Sequence, residues 1–124
     1  MKLQNQISLL AALVFSGASC ATVKGEIAYR GNYYWGHEVE TFHPCDSEQA
    51  FWVTGSDVVL QPLRDEARKS SIADSKPYQP IYVEIFAVPE GKSGDGFAAD
   101  YDGVYRVTFV KKFSTGIPSN CRED

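Results

Sequence analysis

The sequence predicts a mainly β domain in which five strands close into a barrel, with one short helix between the third and fourth strands. Three observations predict it. Five stretches carry the two-residue apolar alternation of half-buried strands, each too short to be stable alone. One stretch between the third and the fourth changes to helical spacing behind Pro62. Cys45 and Cys121, if they pair, tie the C-terminus to the central hairpin and hold the domain closed.

The first strand is Val23 to Arg30, with Val23, Ile27 and Tyr29 on one face and Lys24, Glu26 and Arg30 on the other. Gly31 and Asn32 loosen it, Tyr33, Tyr34 and Trp35 follow, and Gly36 opens a turn. Glu38 to Cys45 and Ala50 to Thr54 form the second and third strands, and the polar linker Asp46 to Gln49 makes them a hairpin. After Gly55 and Ser56 and the short apolar run Val58 to Leu60, Pro62 is placed where a helix begins, because a first-turn N–H has no intrahelical partner to lose. Leu63 to Ser71 supplies two or three helical turns with Leu63 and Ala67 on one face. Pro77 and Pro80 keep the next connection extended. Ile81 to Val88 is the strongest strand, with Glu84 its single charge, so both of its faces are expected to be covered. Pro89 to Gly103 is a glycine-rich acidic loop, and Val104 to Phe113 is the last strand.

Three strands, a short helix and two strands is the order of the OB-fold, a five-stranded Greek-key barrel. An open α+β sheet is the alternative. The chain has 124 residues, 44% hydrophobic and 13% aromatic, which supports one packed core. Its net charge of −4 argues against nucleic acid, which is held chiefly by Lys and Arg on phosphates, and disfavours anionic membrane surfaces.

The N-terminus carries an address. Lys2 precedes the nine-residue apolar run Ile7 to Phe15, which is too short to span a bilayer but suits the core of an export signal. Small residues from Ser16 to Ser19 lead to Cys20. This segment resembles a bacterial lipoprotein signal, which implies cleavage after residue 19, lipidation of Cys20 and a single mature domain over 20–124. Ala21 after that cysteine resembles an outer-membrane address facing the periplasm. An ordinary signal cut after Ala18 or Ala21, giving a periplasmic or secreted protein, is the alternative. Cysteine arithmetic favours lipidation, because it leaves two cysteines to pair, whereas cleavage after Ala18 leaves an odd thiol in an oxidising compartment.

The stretches GEIAYRG at 25–31, TFHPC at 41–45 before an aromatic third strand, YQPIYVEIF at 78–86 and the late Cys121 are together similar to the C-terminal OB domain of the NlpE family. These are bacterial outer-membrane lipoproteins linked to copper tolerance and surface-stress sensing. The resemblance implies a Cys45–Cys121 disulfide and a lipid on Cys20. The family's N-terminal barrel with its Cys-x-x-Cys motif has no counterpart in this sequence, so copper binding and stress signalling are not carried over.

Several groups invite a chemical reading. Tyr29, Tyr33, Tyr34 and Trp35 form an aromatic set near the first strand turn, where an OB barrel stacks on peptides or sugars. The plainer reading is that they pack the barrel end or cover an edge strand. His37 and His43, with Glu38, Glu40 and Cys45 nearby, are metal-ligand types, and a copper- or zinc-handling protein is an alternative function. A disulfide at Cys45 would remove one of those ligands. Asp95, Asp100 and Asp102 do not follow calcium-loop spacing, and Gly91-Lys92-Ser93 lacks the rest of a phosphate loop. There is no nucleophile elbow and no paired-carboxylate signature. The expectation is a non-enzymatic, cofactor-free binding module with a membrane anchor and an envelope protein or glycan as partner. A secreted inhibitor presenting the loop Gly91 to Tyr101 is a further alternative.

Overall fold

The computed structural model describes residues 23–123. The expected signal segment 1–19 and the lipidation cysteine Cys20 lie outside the described residues. Five strands, β1 (Ile27–Gly36), β2 (Val39–Pro44), β3 (Phe51–Thr54), β4 (Ile81–Pro89) and β5 (Gly103–Ser114), form a closed barrel in the order β1-β2-β3-β5-β4, with β4 pairing back onto β1. β3 and β5 run parallel, and every other pair is antiparallel. A helix, α1 (Asp57–Asp74), joins β3 to β4. This is the OB-like Greek-key arrangement that the order of elements predicts. Closure gives each strand a neighbour on both sides and removes the long exposed edges that invite chain-to-chain pairing.

The strand alternation sorts the side chains. Phe51 and Val53 of β3, Ile81, Val83, Ile85 and Ala87 of β4, and Tyr105 and Val107 of β5 are buried, while their neighbours are less so. Tyr33 and Phe42 join them from β1 and β2. α1 contributes Leu60, Leu63 and Ala67, spaced for one helical face and completing the core against β1, β4 and β5.

Two elements differ from the sequence reading. β1 neither begins at Val23 nor stops at Arg30 but runs from Ile27 through Gly31 and Asn32 to Gly36, with Val23 and Ile27 exposed. Residues 27–33 pair with β4 and residues 31–36 pair with β2, so Gly31 sits where one strand serves both neighbours. A Cβ there would lie 2.2 Å from the His43 carbonyl oxygen and 2.7 Å from the Phe42 ring. Gly31 is therefore a close-approach glycine, not a strand breaker.

The helix is longer than two or three turns, at 18 residues. Ser56 is its N-cap, its Oγ accepting the Val59 N–H at 3.3 Å, and Asp57 complements the positive end of the dipole. The run Val58 to Leu60 is thus the first turn of α1, with Val58 exposed and Leu60 inside. Pro62 lies within the helix and loses one backbone bond.

The disulfide joins Cys45 to Cys121, with Cα atoms 4.6 Å apart and a sequence separation of 76. Around it, the Asn32 side-chain amide donates to the Cys121 carbonyl at 2.7 Å and the Cys45 N–H donates to the Arg30 carbonyl at 3.0 Å. The C-terminal segment is thereby held against β1 and the end of β2. Constraining a loop of this length in the unfolded chain stabilises the fold by about 4 kcal/mol. Replacing both cysteines by serine is expected to lower the unfolding free energy by about that amount. Denaturant titration of the oxidised protein, the reduced protein and the double variant measures it, with the last two expected to share one midpoint.

Candidate functional site

Where the β1–β2 turn approaches the β4–β5 loop, the half-buried Trp35 and Trp52 and the exposed Phe97 come together. Trp35, one residue before the turn, is in register with Glu40 of β2. Trp52 lies on β3 between the buried Phe51 and Val53, so the alternation sets it on the opposite face. The β4–β5 loop contains a short 3-10 helix, Phe97–Asp100, which brings Phe97 to 6.4 Å from Trp52 between ring centroids, with the rings 27° apart; Tyr101 follows at 5.5 Å. A latch holds this loop in place. The Asp102 N–H donates to the Ala50 carbonyl at 2.9 Å, and the Ala50 N–H donates to the Asp102 carboxylate at 2.8 Å.

Trp35, Gly36, Glu38, Val39, Glu40, Trp52 and Phe97 border a shallow, open cleft of about 250 Å³. Both tryptophans of the chain line it. Glu40 forms its inner wall and is fully engaged: it accepts from the Tyr33 hydroxyl at 2.5 Å and from Arg64 through two bonds, at 2.8 and 2.9 Å. The guanidinium also reaches Asp57 at 2.9 Å. These hydrogen bonds hold the Arg64 proton above its ordinary value, Glu40 contributing most. Glu40 is thus a structural carboxylate that fixes α1 to the barrel rim.

Trp35 divides this cleft from a second cavity of about 390 Å³, bounded on the far side by Arg68, Ile72, Lys76, Pro77 and Tyr78. The Arg68 guanidinium lies over the Trp35 ring, 5.1 Å from its centroid. Tyr78 packs so closely on the turn that a Cβ at Gly36 would fall 2.2 Å from its ring, and its hydroxyl donates to the His37 carbonyl at 3.1 Å. The β1–β2 turn is therefore braced from behind by the segment that follows α1.

The four aromatics singled out in the sequence do not meet in one site. Tyr29 stacks on Tyr105 at 4.4 Å and meets Phe42 edge-on. Tyr33 is 1% exposed. Tyr34 packs against His43, with centroids 4.7 Å apart, and its hydroxyl donates to the Glu123 carboxylate. Only Trp35 reaches the cleft. The plainer reading of the set, barrel packing, describes the other three. Trp52, Phe97 and Tyr101 were missed as site residues, although the alternation of FWVT already sets Trp52 apart from its buried neighbours.

The histidines are also separated. His37 is exposed in the turn with Glu38 at 3.8 Å, while His43 contacts Glu123 at 2.7 Å on the side of β2 nearer the disulfide. Six residues of extended hairpin place them roughly 20 Å apart. Among the described residues no three His, Cys, Asp or Glu side chains are placed to hold a metal ion together.

Comparison with protein-family models, curated proteins and solved structures finds no match for this chain.

The buried phenols make the fold sensitive to alkali. Burial raises the pKa of Tyr33, Tyr34 and Tyr105, with Glu40 adding to it at Tyr33 and Glu123 at Tyr34. A phenol that holds its proton more tightly when folded contributes its full stability below the unfolded value of about 10 and loses it as pH rises above that. The urea midpoint is expected to fall progressively above about pH 10, and Tyr34→Phe is expected to make the fall shallower. A midpoint that stays level to about pH 12 would contradict this assignment.

Proposed function

We propose that this chain is a non-enzymatic binding module of the bacterial envelope, anchored by a lipid on Cys20 in the outer membrane and facing the periplasm, which holds a partner in the cleft between the β1–β2 turn and the β4–β5 loop. One observation carries the binding reading: both tryptophans and Phe97 border a single cleft beside β2 and β3, the face and loops by which OB barrels take their ligands. Phe97 is 57% exposed, and an aromatic held in solvent by a latched loop favours contact with a partner over a packing role.

The anchor and the address rest on the N-terminal sequence, with its apolar run, its small residues and Cys20. The likeness to the C-terminal OB domain of the NlpE family supports the same address. That family's copper and stress-sensing roles are tied to its Cys-x-x-Cys barrel and are left out of the proposal. A metal-handling role draws no support from the separation of His37 and His43, and a diffusible inhibitor would use the same loop without the lipid.

Two measurements test the two halves of the proposal. A photo-crosslinking residue at position 97 is expected to give discrete adducts in cell envelopes, reduced about tenfold by Trp52→Ala and unchanged by Lys111→Ala. Adducts equally strong in both variants would remove the cleft from the reading. The intact mass of the protein isolated from membranes is expected to begin at Cys20 with acyl chains attached. An unacylated product would replace the anchored module with a diffusible one.

A further inference from the structure

We infer that the cleft recognises a cation, the Arg or Lys side chain of a basic segment on a partner protein; this inference rests on the binding reading above and specifies its ligand. Three observations converge on it. The first is the kind of wall. Trp35, Trp52 and Phe97 present aromatic rings around a space large enough for one side chain, and the negative face of such rings attracts ammonium and guanidinium groups. The chain already displays this contact on itself, since Arg68 sits over Trp35 from the neighbouring cavity.

The second is the charge of the lining. Its two ionisable residues are both carboxylates, and Arg64 already neutralises Glu40. Glu38 remains, its side chain 58% exposed, with the His37 ring at 3.8 Å and no Lys or Arg within ion-pair distance among the described residues. The cations Arg68 and Lys76 line the cavity across Trp35 and not this cleft.

The third is backbone cost. Glu38 adopts φ 56°, a left-handed conformation that residues with a Cβ rarely take and that turns commonly assign to Gly or Asn. Asp46, Ser75 and Tyr78 share that conformation among the described residues, and Glu38 is the one of the four whose carboxylate borders the aromatic cleft. A neutral sugar would also stack on the rings, but it gives no reason for an uncompensated carboxylate in a strained turn.

The probes are Ac-Gly-Arg-Gly-amide, its uncharged citrulline analogue and the neutral disaccharide chitobiose, followed through the two indole N–H resonances of the protein. The arginine peptide is expected to shift both indole signals saturably, with affinity falling as salt is raised, and the citrulline analogue to bind about tenfold more weakly. Glu38→Gln is expected to remove most of that difference. Glu38→Gly adds a readout that a merely structural role would not produce: relief of the left-handed strain raises the melting temperature while arginine affinity falls. Chitobiose shifting the indoles with the arginine peptide silent would overturn the cation and leave the cleft as a glycan site. Arginine and citrulline peptides binding equally would overturn it as well, as would indoles that respond to none of the three. Crosslinks from position 97 that persist in any of these cases would still uphold the binding reading.

Discussion

The molecule depends on one strand being shared by two neighbours. β1 pairs with β4 through residues 27–33 and with β2 through residues 31–36, and the barrel is closed only because both pairings overlap at Gly31, Asn32 and Tyr33. Any side chain at Gly31 would collide with the His43 carbonyl and the Phe42 ring. The three shared residues then do three different things. Gly31 admits Phe42 to the core, Asn32 reaches the tail through the Cys121 carbonyl, and Tyr33 binds Glu40 at the rim. Closure, the tail and the Glu40 rim of the barrel are coupled through three consecutive residues.

Much of this was legible from alternation, and the failures have physical causes. The order of strands and helix and the position of four of the five strands follow from apolar periodicity and a proline, and the pairing of Cys45 with Cys121 from cysteine arithmetic and the family resemblance. β1 was cut short because Gly-Asn is ordinarily a turn signal, and only the three-dimensional approach of Phe42 shows why a glycine continues the strand there. α1 was begun too late because Pro62 favours a first turn, whereas Ser56 and Asp57 supply an earlier and complete start. The aromatic set is dispersed for a related reason. Tyr29, Tyr33, Tyr34 and Trp35 are neighbours in sequence, but a strand turns successive side chains to opposite faces, and three of the four are consumed by packing. The cleft instead draws on Trp35, Trp52 and Phe97, which are far apart in sequence and meet only through barrel closure and the loop latch at Asp102 and Ala50.

The rim also shows how one side chain can separate two electrostatic environments. Trp35 has a guanidinium on the side of α1 and carboxylates on the side of β2. Arg64 and Arg68 are four residues apart on α1, so one helical face delivers both cations, one to Glu40 and one to the indole. Arg64 is committed by the forked pair with Glu40 and by Asp57, which prevents it from neutralising Glu38. Arg68 is committed to Trp35 and to Asp65 at 3.2 Å. With Arg64 and Arg68 each assigned a partner, the cleft retains the acidity that its lining gives it.

That arrangement bears on why the turn has the sequence His37-Glu38 rather than a turn with glycine in the strained position. Tyr78 and Gly36 clamp the turn from behind, so its backbone is determined by packing and not by the preference of residue 38. A clamped turn tolerates a poor residue at a cost of order 1–3 kcal/mol, where a loose turn would relax. The disulfide's contribution of about 4 kcal/mol is large enough to carry such a cost in a small barrel. The tail closure and the strained turn lie toward opposite ends of the β1–β2 hairpin, and the rigidity supplied at one end allows an unfavourable conformation, with its carboxylate in the cleft, to persist at the other.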